Sequence, residues 1–220
     1  MKKKKIFIAC DTANTNKVKR IISLTKTNKV KIGYKFGLEF LNSRNGRQFL
    51  SKIKNQTIFV DLKLMDIPNT MTSAIKALRD LKIDYLTVHI SSGLAALRAV
   101  KRISRKIKIV GVTTLTSLDS EDLKTIGYER SVKNLVAHQS KLAKKAKLDG
   151  LVCSPHEVTI VRKFFNKEII TPGIQINKKN NDQKRVMQIN KIDSDWMVVG
   201  RAITKGNIKK NFQNLINLLK

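Results

Sequence analysis

The sequence is poor in aromatic residues and cysteine and has no long apolar run, and each scarcity argues against a class of protein. Aromatic residues make up 5% of the chain, so we expect aliphatic side chains to fill the core. The two cysteines, Cys10 and Cys153, lie in apolar segments without metal-site or redox spacing, which indicates small buried residues in a reducing compartment. No run reaches membrane-spanning length, and the apolar stretch behind Met1 is too short for an export signal. We therefore predict a cytoplasmic protein without membrane association.

Acidic residues are also scarce, and the resulting positive charge invites a nucleic-acid hypothesis. The 16 Asp and Glu residues face 45 Lys and Arg residues, which gives a net charge of +29. The basic residues are spread along the whole chain, and there are few aromatic residues on which bases could stack. We expect a lysine-rich solvated surface that steers a small anionic substrate, and no specific nucleic-acid partner. A basic nucleic-acid-binding protein remains the alternative from another functional class.

Short apolar runs alternate along the chain with longer amphipathic stretches, as at residues 71–78 and 94–100. This alternation predicts right-handed βαβ units and a parallel sheet. Eight strands in 220 residues predict a single-domain α/β protein with a (β/α)₈ TIM barrel, preceded by a basic tail at residues 1–5. A doubly wound sheet is the competing architecture, but residues 10–14 lack its glycine-rich loop. The predicted strands are 6–10, 30–33, 57–62, 85–90, 107–112, 150–153, 168–171 and 196–200.

One charged stretch begins at the end of the third predicted strand, where a barrel places its chemistry. Asp61 and Lys63 are two residues apart and therefore share a face, and Asp66 follows in the loop. An ammonium held among carboxylates stays protonated, which makes it a poor base but a ready proton donor to a carbanion. Taken alone, the same string is equally well explained as a solvated charged turn.

Further segments make the chain resemble the orotidine 5′-phosphate decarboxylase family. The string Asp61-x-Lys63-x-x-Asp66 continues into Ile67-Pro-Asn-Thr70, and the whole string is close to diagnostic. The resemblance extends from residue 8 to residue 204, with its motifs in the family's order. The other matching segments are 9–11, 30–33, 88–89, 111–117, 171–173, 182–183 and 199–203.

The resemblance implies a lyase of UMP biosynthesis that decarboxylates orotidine 5′-phosphate without a cofactor or metal. Lys63 would deliver the proton that replaces CO₂, and Asp61 would face the substrate carboxylate. Lys31 and Asp66 would complete a Lys-Asp-Lys-Asp charge chain. The resemblance also implies a homodimer, in which Asp66, Ile67 and Thr70 reach into the partner subunit's site.

The resemblance also implies how the substrate is held. Asp11 and Lys31 would bind the ribose, Thr116 the pyrimidine amide edge, and Pro172 would pack beside the base. Gln175 stands where bacterial members usually carry an arginine, so Lys178 or Lys179 is expected to supply the missing charge near the phosphate. The implied substrate-binding residues are Asp11, Lys31, Ile67, Thr70, Thr116, Pro172, Gln175, Gln183, Gly200 and Arg201, of which Gln183, Gly200 and Arg201 bind the phosphate.

The nearest alternative is a magnesium-dependent sugar-phosphate enzyme of the same suprafamily, of the 3-keto-L-gulonate 6-phosphate decarboxylase or hexulose-phosphate synthase type. Such enzymes resemble this chain in the Asp-x-Lys-x-x-Asp string, but they place a metal-binding Glu where Lys31 is expected to stand. An ammonium there would repel a divalent cation. The scattered histidines His89, His138 and His156 do not form a metal-ligand pattern either.

Overall fold

Eight parallel strands close into a barrel in the computed structural model, which describes residues 4–175, 187–188 and 193–219. The strand order around the barrel is β1-β10-β7-β6-β5-β4-β3-β2, so the doubly wound alternative is wrong and the TIM-barrel prediction is confirmed. A short parallel pair, β8 and β9, lies outside the barrel. The strands are β1 (Lys5–Ala9), β2 (Lys31–Gly37), β3 (Thr57–Leu64), β4 (Tyr85–His89), β5 (Lys108–Val112), β6 (Gly150–Val152), β7 (Glu168–Thr171), β8 (Ile174–Gln175), β9 (Met187–Gln188) and β10 (Trp196–Val199).

Four of the described helices begin at polar side-chain caps that the sequence supplies. The side chains of Asn14, Ser131 and Asn207 each accept a backbone N–H of the first helical turn, and Asp119 forms a reciprocal capping box with Asp122. The helices are α1 (Thr15–Leu24), α2 (Leu38–Asn42), α3 (Gly46–Lys52), α4 (Pro68–Ala77), α5 (Gly93–Ile103), α6 (Ser120–Thr125), α7 (Val132–Lys145), α8 (Val158–Arg162), α9 (Arg201–Thr204) and α10 (Ile208–Leu218).

Four aromatic rings pack together with aliphatic residues in the centre of the barrel, and mostly aliphatic residues fill the space between strands and helices. The Phe7 and Trp196 rings stack with centroids 3.9 Å apart, and Phe59 and Tyr85 pack edge-on or tilted around them. The expectation of an aliphatic core therefore describes the larger cluster outside the barrel, whereas the interior combines four aromatic rings with four aliphatic residues. Both cysteines are buried, as predicted.

Gly33 explains why the second strand was predicted too short. The sequence interpretation ended that strand at this glycine, but β2 continues to Gly37. A Cβ atom at Gly33 would lie 2.6 Å from Phe7 Cε1, so the missing side chain makes room for a ring inside the barrel. The glycine therefore serves interior packing in mid-strand and does not mark a turn.

Three aspartates at the amino-terminal end of the barrel each link a strand to its neighbour by a hydrogen bond. Each directly precedes a strand (β4, β6 or β10), and its carboxylate accepts a backbone N–H of the neighbouring strand. Asp84, Asp149 and Asp195 bind the N–H groups of Ile58, Ile109 and Ile169 in this way. These bonds satisfy backbone donors where the ladder begins and help to fix its register.

The amino-terminal boundary also differs slightly from the prediction. Lys5 was assigned to a basic tail, but it is the first residue of β1 and its ammonium lies 3.1 Å from Glu168 Oε1.

The described helices include none that is long and apolar enough to cross a membrane. The assignment of the whole chain to one domain stays a prediction.

Candidate active site

Four charged side chains form a continuous chain at the carboxyl-terminal mouth of the barrel, which we call the charge chain: Asp11, Lys35, Asp61 and Lys63. Lys35 Nζ lies 3.0 Å from Asp11 Oδ1 and 3.4 Å from Asp61 Oδ2. Lys63 Nζ lies 3.0 Å from the same oxygen of Asp61. Asp61 is therefore held between two ammonium groups.

The strand alternation explains why these groups meet. Asp61 follows Phe59 by two residues on β3, so it faces the barrel interior just above the aromatic layer. Gly37 of β2 pairs with Asp61, and Lys35 of the same strand pairs with Ala9 at the end of β1. Asp11 lies two residues after the end of β1. Three adjacent strands thus deliver the charges to one point.

Lys63 stands on an irregular part of β3. The register between β3 and β4 shifts between Val60 and Leu64, and Lys63 has a left-handed backbone with φ of 49°. Its backbone N–H donates to Thr87 Oγ1 at 2.8 Å, and its ammonium turns back to Asp61. The irregularity therefore aims the lysine at the carboxylate two residues before it.

Asp61 and Lys35, the two buried members of the charge chain, are ionised because opposite charges surround them. Burial alone would raise the pKa of Asp61, but the Lys35 and Lys63 ammonium groups outweigh it and lower that pKa below its usual value. Burial would likewise lower the pKa of Lys35, but Asp61 and Asp11 raise it above its usual value. The Asp61 carboxylate and the Lys35 ammonium are consequently both charged at neutral pH.

His89 ends β4 beside these charges. Its Nδ1 accepts the Ser91 backbone N–H at 3.3 Å, which makes it a local structural partner. Burial and the nearby Lys63 ammonium lower the pKa of His89, so the imidazole is neutral at pH 7. It therefore adds no further positive charge next to Lys63.

Lys31 does not belong to this site, and its assignment to the charge chain is wrong. It is the first residue of β2 and pairs with Lys5 at the amino-terminal end of the barrel, where its ammonium lies 5.8 Å from the Trp196 ring centroid. Lys35, four residues later on the same face, takes its place. The sequence contains the spacing Lys-x-Gly twice, at residues 31–33 and 35–37, and only the second ends at the mouth.

The segment after β3 is exposed throughout. Asp66 Oδ1 accepts the backbone N–H of Ile67 at 2.7 Å, and among the described residues of the chain Asp66 makes no ion pair. Ile67 is 66% exposed although it is a large apolar residue, and Met65 is 59% exposed. Thr70 is exposed on the first turn of α4, which begins at Pro68. The structure thus brings Asp61 and Lys63 together with Lys35, and it leaves Asp66 outside the chain of contacts.

The remaining predicted residues follow other strands at the same end of the barrel. Thr116 is half-buried after β5, and Pro172 is half-buried after β7. Gly200 follows β10, and the exposed Arg201 begins α9. Gln175 lies in β8, whose backbone pairs with β9. Gln183, Lys178 and Lys179 lie outside the described residues.

Within the described parts of the chain, no three histidine, cysteine, aspartate or glutamate side chains are grouped as a metal site would require.

Comparisons with known proteins identify the family of this chain. The model of the "Orotidine 5'-phosphate decarboxylase / HUMPS family" matches residues 4–211. A relative from Wolbachia pipientis subsp. Culex pipiens (strain wPip), named orotidine 5'-phosphate decarboxylase, is 40% identical over 96% of each chain. A protein of the same name from Coxiella burnetii (strain RSA 331 / Henzerling II) is 37% identical over 91% of this chain and 90% of its own.

The fold is likewise similar to that of solved structures. The crystal structure of orotidine 5'-phosphate decarboxylase from Lactobacillus acidophilus superimposes with a TM-score of 0.82 and 26% identity, covering 98% of both chains. Because a family model spans nearly the whole chain and relatives exceed a third in identity, the chain belongs to the orotidine 5'-phosphate decarboxylase / HUMPS family.

Proposed function

We propose that the chain decarboxylates orotidine 5′-phosphate to uridine 5′-phosphate in de novo pyrimidine biosynthesis. One observation carries the proposal: the Lys63 ammonium lies 3.0 Å from the Asp61 carboxylate, at the barrel mouth of a chain that belongs to this family. The names of the relatives from Wolbachia and Coxiella support the same substrate and reaction.

The charge chain supplies what this reaction needs. When the bond between C6 and the carboxylate breaks, CO₂ leaves and the electron pair stays at C6 of the pyrimidine. The Asp61 carboxylate disfavours the substrate carboxylate beside it, and the Lys63 ammonium stabilises the new charge and then transfers a proton to C6. Fixed charges of this kind stabilise a transition state without reorganisation at the moment of reaction. The proposed reaction uses no cofactor or metal.

Lys35 takes the roles that were assigned to Lys31. Its ammonium bridges Asp11 and Asp61, so it fixes the charge of Asp61 and, with Asp11, is placed to bind the ribose hydroxyls. The same ammonium disfavours the magnesium-dependent sugar-phosphate alternative, because it would repel a divalent cation at this position. The argument against a magnesium-dependent enzyme therefore holds for Lys35 as it did for Lys31.

The remaining contacts are proposed from the resemblance, and the places of Gly200, Arg201, Thr116 and Pro172 in the fold support four of them. Gly200 and Arg201 follow β10 at the mouth, where Arg201 is exposed and provides a forked donor for phosphate oxygens. Thr116 and Pro172 follow β5 and β7 and are proposed to contact the base. Gln175 and Gln183 are proposed phosphate-side residues. Binding energy from the substrate phosphate, which is remote from C6, is then available to lower the barrier of the reaction.

A homodimer is proposed because the site has an exposed apolar margin. Met65 and Ile67 are more than half exposed, and Leu38 at the start of α2 is 55% exposed. Exposed apolar patches mark protein–protein contact surfaces, and we propose that the partner subunit covers these side chains. We propose that Asp66, Ile67 and Thr70 complete the partner subunit's site, and that the dimer works in the cytoplasm.

The test is the loss of orotidine 5′-phosphate absorbance on adding purified protein with EDTA present. We expect full turnover in EDTA and formation of uridine 5′-phosphate. Absence of turnover in folded protein would overturn the function. Turnover of a sugar phosphate that requires Mg²⁺, without turnover of the nucleotide, would favour the alternative.

A further inference from the structure

Thr87 forms hydrogen bonds with both Asp61 and Lys63. It lies on β4, two residues after Tyr85, and is completely buried. Its hydroxyl donates to Asp61 Oδ1 at 3.0 Å. Thr87 Oγ1 in turn accepts the backbone N–H of Lys63 at 2.8 Å. One hydroxyl thus touches both the carboxylate and the backbone of the lysine that carry the proposed chemistry.

We infer that Thr87 is a positioning residue for decarboxylation, which fixes the Asp61 carboxylate and the Lys63 backbone relative to each other. The inference rests on the proposed roles of those two residues. Thr87 acts through them and is not assigned a contact with substrate.

The strand irregularity shows why such a residue is needed. In a regular ladder, the Lys63 N–H would bond a carbonyl of the neighbouring strand, but the register shift between Val60 and Leu64 interrupts that pattern. Lys63 also holds a left-handed backbone conformation, which is uncommon for a residue with a side chain. The Thr87 hydroxyl replaces the missing ladder acceptor and so holds this conformation in place.

The two oxygens of Asp61 are divided between different partners. Oδ2 faces the Lys35 and Lys63 ammonium groups, and Oδ1 accepts from Thr87. With both oxygens bound, rotation of the carboxylate breaks at least one charged hydrogen bond. A threonine hydroxyl can bind the Asp61 carboxylate and the Lys63 N–H together, because its one oxygen both donates and accepts. Valine has the same shape and can do neither.

The experiment compares Thr87→Val and Thr87→Ser with the unchanged protein and with Thr25→Val. Thr25, which caps the carboxyl end of α1 away from the mouth, is a matched control. It is equally buried, and its hydroxyl also has two partners, the Ile21 carbonyl and the Tyr34 hydroxyl. For each variant, kcat and KM for orotidine 5′-phosphate and the thermal midpoint are measured.

We expect Thr87→Val to lower kcat roughly ten- to hundredfold with a much smaller change in KM, because a hydrogen bond to a charged group is lost. Thr87→Ser should stay within a few-fold of the unchanged protein because the hydroxyl is kept. Thr25→Val should lose stability without losing kcat. If Thr87→Val does not fold, Thr87→Cys preserves the volume with a weak donor and should show an intermediate loss of kcat.

Normal kcat in Thr87→Val, or equal losses in Thr87→Val and Thr87→Ser, would overturn the inference. Lys63→Ala is measured in parallel. If Lys63→Ala is inactive while Thr87→Val is normal, only the positioning role fails. If Lys63→Ala is itself active, the proposed role of Lys63 fails.

Discussion

The Lys35 ammonium lies 3.4 Å from Asp61 Oδ2, whereas Lys31, on the same face of the same strand, lies at the opposite end of the barrel. Four residues of extended strand separate the two lysines by roughly 13 Å. Lys35 is therefore the lysine that can balance Asp61, and Lys31 belongs with Trp196 and the amino-terminal rim.

Substitution of these two lysines should give opposite results. Lys35→Ala leaves both Asp61 and Asp11 without an ion-pair partner on that side, and we expect kcat/KM to fall by about a hundredfold or more. Lys31→Ala removes an exposed ammonium far from the mouth and should leave kcat/KM within about twofold. Steady-state kinetics of both purified variants check the prediction. Equal losses, or a larger loss in Lys31→Ala, would contradict the assignment of Lys35.

Much of the fold follows from the alternation of apolar runs and amphipathic stretches, and the location of Asp61 and Lys63 follows from the rule that barrels react at their carboxyl-terminal end. The sequence could not decide between Lys31 and Lys35, because both begin a Lys-x-Gly spacing and both lie on the same face of β2. Only the true length of β2 separates them, and Gly33 conceals that length. Its reason for being glycine is the Phe7 ring, which is distant in sequence.

Thr87 was missed for a related reason. A threonine within an apolar strand is ordinary in any sheet, and its function here depends on the register shift in the neighbouring strand. Nothing in the local sequence predicts that shift. The aromatic interior was missed because composition gives the number of rings and says nothing about where they gather.

The ionisation of Asp61 should appear in the dependence of stability on pH. Its folded pKa is lowered, so its contribution is present above the unfolded value of about 3.9 and is lost as pH falls through the folded pKa. The unfolding free energies of the unchanged protein and Asp61→Asn should therefore differ most near neutral pH and converge below about pH 4. Denaturant titrations across this range check the prediction. A difference in unfolding free energy that stays constant down to acid pH would show that the neighbouring lysines do not lower the pKa of Asp61.

The proposed exchange of Asp66 between subunits predicts rescue in mixed dimers. Lys63→Ala and Asp66→Ala proteins should each be inactive or strongly impaired. When they are unfolded together and refolded as a mixture, each mixed dimer has one site with both residues intact. Activity should then return to about a quarter of the unchanged protein at random pairing. Two separately refolded samples, mixed afterwards, provide the control.

Rescue depends on the partner's Asp66 completing the site. If Asp66 acts within its own subunit, neither site of a mixed dimer is complete, and the co-refolded sample should be no more active than the control. Rescue that does occur but vanishes on dilution would still place Asp66 across an interface, one that dissociates.

The most direct test of the account is turnover by Lys63→Ala, because Lys63 is the proposed donor of the proton that replaces CO₂. The variant should show no detectable conversion of orotidine 5′-phosphate to uridine 5′-phosphate in an absorbance assay, while its circular dichroism spectrum and uridine 5′-phosphate binding remain those of a folded protein. Lys31→Ala serves as the matched lysine control and should turn over normally. Conversion by Lys63→Ala at a rate near that of the unchanged protein would contradict the account.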